Sequence, residues 1–533
     1  MRSKPNRLWW SALLLGWAFD FLFWKKAPGV NFTIYVLLCL LTGTLLLRGA
    51  GHRPARSIWS LMLFILIPAL MTFVRLEPMT VFLSVALTLF LMGVVAVSYL
   101  GGRWLEYGLL DYLGRFLRLA GSMVARPLAF NAELKREQSE ALARGEPTRT
   151  QGFPKVWPVV RGILIAIPVV AIFAALLASA DLIFSQRLEA FIELFRLEDL
   201  PEYIFRGVYI LAAAYALAGI FLHAASESSD EKLTGASGPV VPPFLGFTES
   251  AIVLGSVLAL FTAFVIIQFQ YFFGGQANIH LDGYTYSEYA RRGFGELVLV
   301  AFFSLMLILV ASAITRRSSR TERGVFSALG IGIVVLVLIM LISAFQRLVL
   351  YESAYGFSRL RTYTHVFMIW LALLLVAVGI LELLQRERAF ALTVLLASAG
   401  FVVSLGLVNV DGFIVRQNVN RTLAGEAFDA SYLTELSYDA VPALAQAYRT
   451  ESMPAEVREG LGIALTCLNG RQDGSEQLEP WQSFQLARWR ANAIMRSLEE
   501  DLEDYQVIHR DWDYVVTTPS GEEYYCAGYG IRR

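Results

Sequence analysis

Crossing a hydrocarbon core of about 30 Å takes roughly 20 consecutive apolar residues and a backbone that satisfies its own hydrogen bonds. This sequence offers eleven such stretches: Leu8–Trp24, Phe32–Leu47, Ile58–Val74, Met79–Leu100, Val159–Ala180, Val208–Ala224, Ala251–Phe273, Leu297–Thr315, Phe326–Ala344, Val366–Leu384 and Phe390–Val408. A single all-round apolar helix also fits the core of a large soluble protein. Eleven in one chain, with 56% hydrophobic and only 17% charged residues, leave the soluble range. Pro68, Pro168, Gly219, Gly255, Gly330 and Gly332 lie inside these stretches, where neighbouring helices re-satisfy loosened backbone groups. The first stretch runs into Trp24, Lys25 and Lys26 with no small-residue cleavage site, so it reads as a retained helix and not a signal peptide.

Orientation follows from the placement of Arg and Lys. Arg2, Lys4 and Arg7 precede the first span, and Arg48, Arg53 and Arg56 fill the second loop. A series from Arg103 to Lys155 follows the fourth span. Arg316, Arg317, Arg320 and Arg323 follow the eighth, and Arg386 and Arg388 the tenth. All share one side if the amino terminus is cytoplasmic; Lys25 and Lys26 fall on the other. The expected architecture is therefore an all-α polytopic membrane protein of about eleven transmembrane helices. It comprises a four-span unit at 1–100, a cytoplasmic connection at 101–156 and a seven-span unit at 157–410. A small, mostly helical extracytoplasmic C-terminal domain at 411–533 completes it.

Leu105–Phe130 spaces Leu109, Leu113, Phe116, Leu117 and Leu119 at helical intervals among Arg115, Arg118 and Arg126. That suits either a helix lying in the membrane interface or one packed on the inner face of the bundle. Asn131–Gln151 is polar and reads as solvated or disordered, while Asp181–Gly207 is amphipathic on the outer side. Beyond the last span, Ser437–Tyr448 and Pro454–Leu468 read as short helices and Pro480–Tyr505 as a longer one. Val507–Thr517 and Glu522–Gly528 flank Pro519, Ser520 and Gly521 and read as a β-hairpin. Cys39 sits in a span, whereas Cys467 and Cys526 share the last domain. In an oxidising compartment that pair can form a disulfide; two free buried thiols are the alternative.

Chemical signatures are sparse. The net charge of zero argues against nucleic acid as a partner. His52, His223, His280, His365 and His509 show no metal-ligand spacing, and His280 with Asp282 is a pair that arises easily by chance. No nucleophile elbow, phosphate loop or dinucleotide fingerprint stands in a usable context, so no cofactor is indicated. Polar residues do gather near the outer ends of spans, where ionisable groups are costly and often functional. They are Asp20, Gln268, Gln270, Glu296, Arg347, Glu352, Arg359 and Arg361, joined by Glu288, Arg291 and Arg292 in the loop after the seventh span. Glu288, Arg292 and Glu296 recur four apart and would pair along a helix. One reading is an interfacial helix with locally paired charges and a tyrosine belt. The other is an outward-facing polar pocket.

Several of these residues lie in motifs. Phe269-Gln-Tyr-Phe-Phe-Gly-Gly275, Tyr284-Thr-Tyr-Ser-Glu-Tyr-Ala-Arg-Arg-Gly-Phe294 and Tyr355-Gly-Phe-Ser-Arg-Leu-Arg-Thr-Tyr363 resemble a bacterial polytopic membrane family, domain of unknown function 4173. Asp20-Phe-Leu-Phe-Trp24 and Ser437-Tyr-Asp-Ala-Val-Pro-Ala-Leu444 are similar to it too. The resemblance implies a multi-span protein of a bacterial cytoplasmic membrane and brings no reaction, ligand or catalytic residue with it.

Three functional classes follow. The first is a non-enzymatic sensor, regulatory or scaffold protein of the envelope. Its exported domain would meet an envelope protein or a small-molecule ligand on the outer side, and membrane lipids would surround its spans. The second is a transporter of a small solute, which wants a midplane polar path and internal repeats that this sequence does not display. The third is a membrane-embedded enzyme acting on an outer-leaflet lipid-linked substrate, with Arg292, Arg359 and Arg361 for a phosphate head group.

Overall fold

A computed structural model describes residues 5–144, 156–181, 183–187, 200–229, 233, 243–273, 294–473, 480–510 and 513–526. Among these residues nine helices are long and apolar enough to cross a membrane. They are α2 (Val30–Gly49), α3 (Arg56–Val74), α4 (Pro78–Ser98), α7 (Leu200–Ser226), α8 (Phe247–Phe273), α9 (Phe294–Ile314), α10 (Arg320–Tyr355), α11 (Arg359–Leu383) and α12 (Phe390–Val408). The other two expected spans are also helical, in α1 (Pro5–Phe23) and α6 (Val156–Ala180). Asn6, Arg7 and Asp20 dilute the apolar character of α1, and α6 carries the single charge Arg161 ahead of its apolar stretch Pro168–Ala180. At 1.5 Å per residue α10 is about 54 Å long, so its ends project well beyond a bilayer core.

In helix α5 (Leu109–Ala143) the first part of the polar stretch, Asn131–Ala143, is solvated as exposed helix, and the remainder after Arg144 lies outside the described residues. Helix α5 packs on the bundle. Phe116 stacks on Phe90 of α4 at 5.1 Å, and Leu119 and Phe130 are buried. On its outer face Leu113, Leu117, Val124 and Leu128 stay exposed. The short stretch Ser122–Arg126 meets Tyr215, Gly219 and His223 of α7 and Glu227 just beyond its end. Ser122 Oγ lies 2.8 Å from His223 Nδ1, and the Tyr215 hydroxyl donates to the Val124 carbonyl at 2.6 Å.

The C-terminal unit begins without a linker. Asn409, in the left-handed conformation at φ 53°, ends α12, and its side chain caps the next helix, α13 (Val410–Leu423). Then come α14 (Ala430–Thr434), α15 (Val441–Tyr448), α16 (Ala455–Asp473) and α17 (Leu486–Arg496). The anticipated helix Pro480–Tyr505 is shortened to α17 between two single turns, because Phe484 and Gln485 are extended to reach the α1–α2 loop. The anticipated strand Val507–Thr517 is two strands. β1 (Gln506–Arg510), β2 (Asp513–Thr517) and β3 (Glu523–Tyr525) form an antiparallel meander in which Val507 faces Val516 and Val515 faces Tyr525. Cys467 on α16 and Cys526 after β3 are bonded, with Cα atoms 5.4 Å apart, which fastens the sheet to the helices.

Leu405 of α12 is buried in the same apolar core as Val415, Leu436, Leu444, Leu461 and Leu498, and Leu83, Phe401 and Val366 from the spans pack against that core. Among the described residues, the helices between Val410 and Leu498 are thus continuous in packing with the bundle, unlike domains joined by an exposed linker.

The α5–α7 crossing requires Gly219. A Cβ there would lie 2.6 Å from Met123 Cα and 2.8 Å from the Ser122 carbonyl oxygen, both backbone atoms. Gly219→Ala should destabilise the protein by about 1–3 kcal/mol, the usual cost of overpacking. A thermal melt in detergent measures this; an unchanged midpoint would show that the crossing yields at no cost.

Candidate functional site

The C-terminal unit rests on three loops at one end of the bundle. Between α1 and α2, the Val30 amide donates to the Phe484 carbonyl at 2.9 Å and Gln485 Nε2 to the Pro28 carbonyl at 2.6 Å. Between α3 and α4, the Leu76 and Glu77 amides both donate to Asp439 Oδ2, at 2.6 and 2.9 Å. Between α10 and α11, Asn418 brackets Phe357, accepting from its amide at 2.7 Å and donating to its carbonyl at 3.0 Å. By alternation of the helices, the Arg-rich loops after α2, α4, α9 and α11 lie at the opposite end.

At the centre stands an ion pair. Arg359, the first residue of α11, reaches Asp411 in the first turn of α13 with Nε at 2.8 Å and Nη2 at 2.7 Å, a bidentate fork. Asp411 is completely buried and also accepts from the Ser437 amide at 2.7 Å. The Arg359 amide donates to the Tyr432 hydroxyl at 2.8 Å. One turn along α11, the Tyr363 hydroxyl donates to Glu77. Glu77 immediately precedes Pro78 and caps α4, its carboxylate accepting from the Met79 and Thr80 amides at 2.9 and 2.7 Å. Asn409 Nδ2 donates to the Asp439 carbonyl at 3.0 Å, and Arg75 joins the group through Gly406 and, at 3.7 Å, Asp439 Oδ1. Burial pushes the Asp439 carboxyl above the ordinary aspartate range, against the pull of the Leu76 amide and Arg75.

The expected outer-side residues close on separate partners. Asp20 is buried against Arg206 of α7 at 3.0 and 2.5 Å, beside Trp24, whose indole donates to Glu202 at 2.7 Å. Glu352 is buried 3.2 Å from His365, whose ring meets the edge of Phe345. Arg361 lies over Tyr351 and donates to the carbonyls of Tyr355 and Gly356. Arg347 sits on α10, Gln268 is half-buried on α8 and Glu296 is exposed at the start of α9. Glu288, Arg291 and Arg292, together with the side chain of Gln270, lie outside the described residues, as do His280 and Asp282. Of the described members of the expected set, Arg359 alone enters the central network.

Sequence reasoning did not single out Glu77, Asp411 or Arg206. A carboxylate directly before a proline was a capping signal for Glu77. Asp439 lay inside a quoted motif without being assigned a role. Among the described residues, no group of three or more His, Cys, Asp or Glu is placed to hold a metal ion. Glu77, Asp411 and Asp439 are engaged by backbone amides, Tyr363 or Arg359, so the arrangement suits mechanical coupling better than proton transfer.

A family model described as a domain of unknown function, DUF4153, matches residues 62–447. The match runs from α3 through the end of the junction, and it replaces the resemblance to domain of unknown function 4173, whose motifs from Phe269 to Leu444 all fall inside the matched range. Comparison with curated proteins and with solved structures returns no match.

Removing one member of a buried ion pair strands the other. Asp411→Ala or Arg359→Ala should cost about 3–5 kcal/mol, whereas the double change Arg359→Met with Asp411→Leu should cost far less. Melting temperatures in detergent for the three variants test this, and equal losses in all three would refute it. A second expectation concerns pH. Because the folded-state pKa of Asp439 is raised, its contribution to stability is complete below the unfolded value and is lost as pH rises through the folded one. Stability of the junction should therefore fall as pH climbs above the ordinary aspartate range, and Asp439→Asn should remove that part of the slope. Melts of both proteins across a pH series provide the comparison.

Proposed function

We propose that this chain, which belongs to the DUF4153 family, is a non-enzymatic sensor, regulatory or scaffold protein of the bacterial cytoplasmic membrane. Eleven helices cross the bilayer, the amino terminus is cytoplasmic and the C-terminal unit faces outward. The Arg-rich loops opposite that unit support this orientation by the positive-inside rule. The Cys467–Cys526 bond supports it as well, since disulfides persist in oxidising compartments. The single observation that carries the coupling role is the buried Arg359–Asp411 pair. Through it and Asp439, an envelope protein or small ligand on the C-terminal unit would bias the outer ends of α4 and α11, a shift requiring differential affinity for two arrangements.

Two measurements test this reading. Alkaline phosphatase fused after Arg533 should be active and a cytoplasmic reporter there silent; the reverse pattern inverts the topology. In a strain lacking the protein and scored for envelope-stress sensitivity, the double change Arg359→Met with Asp411→Leu should fail to complement although it reaches the membrane at normal level. Full complementation would remove the coupling role.

A further inference from the structure

A half-open cavity of about 320 Å³ lies between α2, α4, α5 and α7, apart from the junction. Its walls are almost wholly apolar, with Leu40, Met92, Ala96 and Phe221 among them. Tyr35 and Leu47 both line it and stand about 18 Å apart along α2. That is close to one leaflet's share of a core of roughly 30 Å. Close-packed interiors hold few voids larger than a water, and an apolar cavity takes an apolar guest more readily than water. Leu89, 56% exposed, lines the cavity and opens it sideways between the spans.

Its polar groups lie toward its two ends, Tyr35 and Cys39 on the junction side and Thr44 and Tyr99 at the basic end, where Arg48 stands. Tyr99 is buried at that basic end, with Thr44 and the charge of Arg48 as the polar neighbours of its hydroxyl. Arg48 is exposed and lies over Trp59 at 5.4 Å, where a membrane interface would run. We propose that this cavity holds one acyl chain of an anionic phospholipid from the surrounding membrane, its ester region at Tyr99 and Thr44 and its phosphate at Arg48. Charge complementarity selects the occupant: a guest apolar along its length and anionic at the end beside Arg48 matches both walls and rim.

The full chain, delipidated in detergent, is incubated with palmitoyl-oleoyl phosphatidylglycerol or with phosphatidylcholine of the same chains, and native mass spectrometry counts retained lipids. One phosphatidylglycerol should dominate, exceeding phosphatidylcholine about fivefold, and Arg48→Ala should erase that preference. Ala96→Phe, and independently Leu40→Trp, should abolish retention of both lipids by filling the cavity, with melting temperatures in lipid-free detergent no lower than wild type. Equal retention of the two lipids by the wild type overturns the charge assignment. An undiminished adduct in both filled variants, or a broad ladder of adducts identical in all proteins, means surface lipid only and overturns the site.

Discussion

A carboxylate withdrawn from water is tolerable only where hydrogen bonds and opposite charge replace its hydration, and the architecture of this protein is arranged around that requirement at Asp411. The residue is fully buried, so Arg359 must meet it in a bidentate fork and the Ser437 amide must complete its shell. Placing Arg359 fixes the start of α11, and placing Asp411 fixes α13 one residue after the last span. Asn409 turns the chain between them, and Asp439 carries the same network onto the α3–α4 loop. Relieving the charge burden at one residue thus sets how four segments, distant in sequence, sit against one another.

The lipid-facing part of the fold was legible because each span declares itself locally. Hydropathy over about 20 residues locates a span whatever its neighbours do. The junction was not legible in the same way. Arg359 lay in a recognisable motif, but its partner Asp411 was treated as the edge of a soluble domain and Glu77 went unremarked beside Pro78. Pairings between residues 286 apart, such as Tyr363 with Glu77, leave no periodic trace in one sequence. The helix Pro480–Tyr505 failed for a related reason. Its apolar spacing is helical, yet a tertiary contact to Val30 overrides that preference at Phe484 and Gln485. The polar connection after Phe130 read as solvated without revealing its helix, since exposed polarity is compatible with a helix and with irregular chain alike.

The two ends of the bundle solve different problems. At the junction, most of the buried polar groups are paired with one another, which makes the contact specific in geometry. At the basic end, Arg317 and Glu382 form a similar buried pair at 3.0 Å between α9, α10 and α11, with Ser312 and Ser327 as further partners. The half built from α2, α4, α5 and α7 instead leaves apolar space, roofed by Phe116 and Leu119 of α5. One half is locked by charge, while the other is closed by a helix laid across it.

The bond between the Glu77 amide and Asp439 also sets a clock. The two residues are 362 positions apart, and a ribosome adding about 5–20 residues per second needs roughly 20 to 70 s between them. Throughout that interval the loop before α4 is already made and its final partner does not yet exist. Glu77 is equipped to wait, because its carboxylate accepts from the Met79 and Thr80 amides of its own helix. The exposed Leu76 and Glu77 amides have no such local substitute. Insertion of this protein therefore passes through a long-lived species with the junction end of its bundle unsealed, until the segment carrying Asp439 has been made and shuts it.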